Sequence, residues 1–236
     1  MNALRHKYHL TAEIRHLKES LLCFLHTILL HRTVGKRTQN ETFGTGLKEE
    51  KCSWLDLTYL RVNSPELRWQ VEEKVEDFLS AMTTTARTLS HLDQDRMPNE
   101  AKVLNTSVKI EFFTRRKKSA WEQWTTWTAE DTAVWEMWEL DLSIVKVGTT
   151  EDLHRLSEKV SDDINMMVLQ ICSAMNRGQY IPKSASSSLF DGSLKDCMPY
   201  NHRIKWTDGG MGGNGSGDSI SDKLHSSLEK IISFYA

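Results

Sequence analysis

The chain has 236 residues, 39% of them hydrophobic, with 30 basic and 32 acidic side chains for a formal charge of -2. That length and composition suit a globular domain with a sizeable core and exclude a disordered chain. The near-zero charge excludes a whole-molecule field that would draw the protein to nucleic acid, so any basic patch has to be local.

Residues 7–14 alternate in the manner of an edge strand, and Leu17, Leu21, Phe24, Leu25, Ile28 and Leu29 then share one helical face, with Gly35 where this first helix is expected to end. Residues 36–52 are polar and are expected to form a mobile loop. Residues 54–62, dense in aromatic and β-favouring side chains, are expected to form a central strand. Ser64, Pro65 and Glu66 mark a helix start, with the Ser64 hydroxyl as N-cap and proline at the first helical position. The helix that follows should bury Leu67, Val71, Val75, Phe78, Leu79 and Met82.

Val108, Ile110 and Phe112 alternate with polar neighbours, as do Trp138, Leu140, Leu142 and Ile144, which predicts an antiparallel pair joined by some two dozen residues. A connection of that length inside a compact domain is usually functional or disordered. Thr149 and Asp152 fit a capping pattern ahead of a third helix with an apolar stripe through Leu153, Leu156, Val160, Ile164, Met167, Val168, Ile171 and Met175. Residues 184–188 read as a flexible segment and residues 201–207 as one more strand. Residues 209–217 read as a glycine-rich linker, and residues 218–236 as an amphipathic helix through Ile220, Leu224, Leu228 and Ile231.

The long connection carries the densest aromatic cluster. Trp121, Trp124 and Trp127 recur every third residue directly after the basic run Arg115, Arg116, Lys117 and Lys118, with Trp135 and Trp138 close behind. Three exposed indoles at about 200 Å² each would form a patch of roughly 600 Å², at the upper limit for a soluble monomer. The first reading is an exposed aromatic finger that meets a partner; the second is that the rings fold back over the domain's own core. The basic run is open to three readings: a nuclear-localisation-like patch, a contact with anionic phospholipid, or a solubilising end to a strand.

Evidence for catalysis is sparse. There is no G-x-x-x-x-G-K-[ST], H-E-x-x-H or G-x-S-x-G pattern. Residues 210–215 match G-x-G-x-x-G, but the twenty-one residues after them are too few for a dinucleotide fold, and the segment is expected to be a linker. His26 and His31 are five residues apart and do not share a helical face, and Asp162 and Asp163 read as a solvated face. Four scattered cysteines, Cys23, Cys52, Cys172 and Cys197, read as reduced thiols, so neither metal nor cofactor is expected. With no signal-like segment and no apolar run long enough to span a bilayer, the expectation is a soluble, cytoplasmic protein.

Four ordered motifs carry a family resemblance: Leu25 through Lys36, Leu55 through Val62, Arg116 through Trp121, and Met175 through Lys183. Over residues 15–207 the chain resembles the autophagy-related protein 101 family. That resemblance implies an α+β HORMA domain over 1–208, a small mostly antiparallel sheet packed on three helices, with a finger loop at 114–134. It also implies a non-enzymatic subunit of the Unc-51-like kinase complex, paired with the HORMA protein autophagy-related protein 13 and recruited to sites of autophagosome formation. The finger's tryptophan aligns with Trp121 and would recruit downstream autophagy factors. Here the family's Trp-Pro-Phe is replaced by Trp121, Glu122 and Gln123, with Trp124 the nearest second aromatic. The pairing surface implied at the end of the first helix and the following strand makes His31, Arg32, Asp56 and Tyr59 the candidates. The alternative function is a peripheral membrane module built on the basic run and the indoles, since Trp favours the lipid interface.

Overall fold

The computed structural model describes residues 3–35, 46–92, 104–115, 132–177, 181–182 and 189–207, with backbone alone for 85–92. The elements in chain order are β1 (Leu4–Ala12), α1 (Ile14–Leu30), β2 (Thr33–Gly35), β3 (Leu47–Lys51), β4 (Thr58–Val62) and α2 (Pro65–Leu92). Then come β5 (Leu104–Arg115), β6 (Thr132–Ile144), α3 (Thr150–Asn176), β7 (Cys197–Pro199) and β8 (His202–Thr207). The main sheet has the order β1-β6-β5-β8. Its β6-β5 and β5-β8 pairs are antiparallel, and β1 runs parallel to β6. Two small sheets, β2-β7 and β3-β4, complete a mostly antiparallel α+β fold.

One sheet face carries the core. Val108, Ile110 and Phe112 of β5 and Trp138, Leu140 and Leu142 of β6 are buried, and the alternating positions Ser107, Lys109, Glu111, Glu139, Asp141 and Ser143 are polar, as the period-two pattern requires. α1 lies at the centre of the helical layer, in contact with β4, α2 and α3. It is buried from Ser20 to Leu29 without a break, which is how a helix surrounded by other elements reads.

Local chemistry sets the helix boundaries. Glu13 caps α1 through a 2.8 Å bond from the Arg15 N–H. The Ser64 hydroxyl accepts from the Leu67 N–H at 3.1 Å and donates to Asp196 at 2.9 Å, so one side chain both starts α2 and ties it to a distant segment. Thr149 caps α3, accepting from the Asp152 N–H at 3.1 Å.

Several expectations require correction. α1 ends at Leu30 rather than near Gly35, which instead pairs with Cys197 in β2-β7. The polar stretch thought to be a loop up to residue 52 contains β3, whose charged residues suit a hairpin with a wet face. The expected central strand over residues 54–62 is a packed turn followed by β4, in a sheet of its own. Its apolar density comes from Leu55 and Leu57, which plug the core from the turn. β5 and β6 extend farther than their alternation suggested, leaving residues 116–131 as their connection. Trp135 and Trp138, counted with the aromatic cluster, belong to the core: they are 7% and 0% exposed. The segments 116–131, 183–188 and 208–236, including the expected finger, linker and tail helix, lie outside the described residues.

Candidate interaction surfaces

A long ladder flanks residues 116–131. β5 and β6 pair from Leu104↔Ile144 out to Arg115↔Thr132, with a bulge between Phe112 and Phe113 that re-aims the outer strand ends. Phe113 is buried beneath Arg203, whose guanidinium lies 5.2 Å from the ring centre. On the other face Trp135 meets Phe112 at 5.8 Å and Tyr200 at 5.5 Å. Of the basic run, Arg115 is described and exposed. Arg116, Lys117, Lys118, Trp121, Trp124 and Trp127 fall outside the described residues.

The four pairing candidates sit in different surroundings. Arg32 is turned inward and 3% exposed. Its Nε and Nη2 donate to both oxygens of Glu136 at 2.7 Å, its Nη1 donates to the His31 carbonyl at 3.1 Å, and the guanidinium lies 5.9 Å from the centre of the Trp135 ring. This planar, two-pronged use of a guanidinium joins the end of α1 to β6 inside the core. The sequence could not show this, because Arg32 and Glu136 are 104 residues apart.

His31 is half-buried, with a ring nitrogen 3.6 Å from the Cys172 Sγ of α3. Burial, and secondarily the Arg32 charge, hold its pKa below the usual value, so it is neutral at pH 7. Tyr59 is also half-buried and stacks on His26 at 6.0 Å; burial pushes its phenol up. Asp56 is exposed on the turn before β4. The structure therefore does not bring the four together as one patch, although His31 reaches α3.

α3 itself supplies a surface that the periodicity argument passed over. Its buried stripe is Val160, Ile164, Met167 and Ile171. Along its first half the exposed positions include the charged residues Glu151, Asp152, Arg155, Glu158, Lys159 and Asp162. From residue 165 to residue 176 the exposed positions are Asn165, Met166, Leu169, Gln170, Ser173 and Asn176, with no charge among them. Met166 is 56% exposed and Leu169 63%. The signal for this face was available: these two apolar side chains fall outside the core stripe, where a solvated helix face normally carries charge.

Nothing in the described residues gathers catalytic groups. No group of three or more metal-ligating side chains occurs among them. Burial pushes the Cys23 and Cys52 thiols up to about 12, so neither supplies a thiolate at neutral pH. No described helix is long and apolar enough to cross a membrane.

Among the described residues, three helices on a mostly antiparallel sheet make an α+β fold consistent with a small domain of HORMA type. The family model for autophagy-related protein 101 matches residues 9–188, which spans β1 through α3. The chain belongs to the autophagy-related protein 101 family, and that membership gives it a role in autophagy. The Xenopus tropicalis autophagy-related protein 101 is 29% identical over 215 residues, covering 87% of this chain and 89% of the relative. The Homo sapiens and Mus musculus proteins of the same name are 28% identical over the same length and the same shares.

Proposed function

We propose that this chain is a non-enzymatic adaptor. It pairs with a second HORMA subunit, autophagy-related protein 13, within the Unc-51-like kinase complex, and it recruits downstream autophagy factors to sites of autophagosome formation through Trp121 and Trp124, with Trp127 beside them. The observation that carries the pairing half is the uncharged end of α3, where two large apolar side chains stand exposed among Asn, Gln and Ser. Met166 and Leu169 expose large side chains on a regular helix, and His31 extends the same region through its contact with Cys172. Depletion of charge with an exposed Met is a compositional mark of an interface centre. Arg32 supports pairing indirectly, by fixing the end of α1 against β6. The recruitment half rests on the indole spacing in sequence and on the long β5-β6 ladder that precedes and follows the connection.

Light scattering after size exclusion, on this chain mixed with the second HORMA subunit, tests the pairing. The expected result is a one-to-one heterodimer that is lost in Met166→Asp/Leu169→Asp and kept in Trp121→Ala/Trp124→Ala. Two separate peaks for the unmodified chain overturn the reading, and flotation with liposomes of stated anionic content then tests the basic run on membranes.

A further inference from the structure

The connection from β3 to β4 carries Trp54, a residue 57% exposed although its backbone is held on both sides. The N–H groups of Ser53, Trp54 and Leu55 donate to the Glu19 carboxylate of α1 at 2.6, 2.9 and 3.1 Å. The Trp54 carbonyl accepts from the Ser157 hydroxyl of α3 at 2.9 Å. Leu55 and Leu57, just beyond, are buried in the core. A large ring presented to water from an ordered backbone is the kind of pre-placed anchor on which interfaces concentrate their energy, because little side-chain or loop entropy remains to be lost on binding.

The indole stands beside a cleft of about 780 Å³ between this connection and the first half of α3. That volume lies within the range of ligand sites, but the walls are polar, which gives an apolar small molecule little to bury. Asp56, Glu158 and Asp162 line it against one lysine, Lys51, and His154 lies 3.5 Å from Glu158. Three carboxylates facing one ammonium repel phosphates and nucleotides and attract a cation. The indole face adds a second attraction for the same ligand chemistry, strongest for a guanidinium or ammonium on a flexible stem.

We propose that the cleft between the β3-β4 connection and α3 binds a peptide segment bearing arginine or lysine. The cation is held beside Trp54 and among Asp56, Glu158 and Asp162. The cleft and the uncharged end of α3 share only Asn165, so a basic segment here adds a contact to domain pairing rather than replacing it.

Panning the full chain against a phage library of random dodecapeptides tests this without the second HORMA subunit, so its outcome is independent of whether pairing occurs. Wild-type selections are expected to enrich arginine and lysine about threefold over the unselected library, with retention falling as salt rises. Trp54→Ala and the triple variant Asp56→Asn/Glu158→Gln/Asp162→Asn are expected to lose that enrichment while unfolding at the wild-type temperature. Asp162→Lys alone, at an exposed helix position, keeps the test open if the triple variant does not fold, and it should abolish the preference by itself. Absence of basic enrichment on the wild type, or its persistence in Trp54→Ala or Asp162→Lys, overturns the proposal.

Discussion

α1 and α3 are both long helices of the same layer, yet they meet opposite surroundings. From Ser20 onward α1 has no face in water, and even its polar groups are absorbed: the Ser20 and Thr27 hydroxyls donate to the carbonyls of His16 and Cys23 at 2.8 and 2.7 Å. α3 buries one stripe and leaves the rest to solvent, charged at its start and uncharged toward its end. The difference teaches where change is tolerated. A group removed from α1 or its termini leaves a hole or an unpaired polar atom, whereas a group removed from the outer side of α3 is replaced by water.

The sharpest way to break that comparison is at the end of α1. Arg32→Ala strands Glu136, which is 0% exposed, and should cost about 3–5 kcal/mol in denaturant unfolding. Arg32→Met combined with Glu136→Leu should return most of it, because removing both charges leaves neither one unpaired. A loss below about 1 kcal/mol for Arg32→Ala would place this corner in water after all.

A smaller effect is expected from acid. Burial, then the nearby Arg61 and Arg68 charges, lowers the His26 pKa to about 4 from an ordinary 6.5. The unfolded chain therefore takes up this proton first. Stability from neutral His26 is fully present above pH 6.5, declines as pH falls below it, and reaches a loss on the order of 3 kcal/mol near pH 4, where the folded form also protonates. His26→Phe, which keeps a ring against Tyr59, should flatten stability across that window in pH-dependent thermal unfolding. A profile unchanged by the substitution would mean that His26 is not held neutral by the core.

The smallest expected effect sharpens the other side. Leu169→Ser on α3 should move stability by no more than about 0.5 kcal/mol, since the side chain is 63% exposed. Its cost should appear instead in pairing, as a faster dissociation of the heterodimer measured by surface plasmon resonance. A stability loss approaching that of Arg32→Ala would erase the distinction between the two helices.

Legibility in the sequence followed the range of the interaction. Ser64-Pro65 and Thr149 start α2 and α3 where their capping chemistry indicated, because a cap is decided within four residues. The alternation in β5 and β6 was likewise visible, since one face of an antiparallel sheet is packed and the other wet. β3 was hidden because Lys48, Glu49, Glu50 and Lys51 look like loop, and its charges make sense only once Glu50 is seen holding Arg61 at 2.7 Å from the facing strand. The turn before β4 was misread because Leu55 and Leu57 have the composition of a strand, while the backbone from Ser53 to Leu55 is held by Glu19 from a different element. Among the pairing candidates, Arg32 was visible as a residue and invisible as a core ion pair, because its partner lies on the strand at the far side of the long connection.

The single parallel pairing in the main sheet has a consequence for how the chain is made. Leu4 aligns with Glu136, so β1 leaves the ribosome 132 residues before its neighbour in the sheet (136 − 4). At cellular elongation speeds that interval is on the order of ten seconds. β1 therefore emerges ahead of α1, α2 and β5, and its row of backbone donors facing β6 stays open until β6 arrives. β5 and β2 gain their last neighbours later still, from β8 and β7 near residues 197–207, so these two sheets are completed only when that segment has been made.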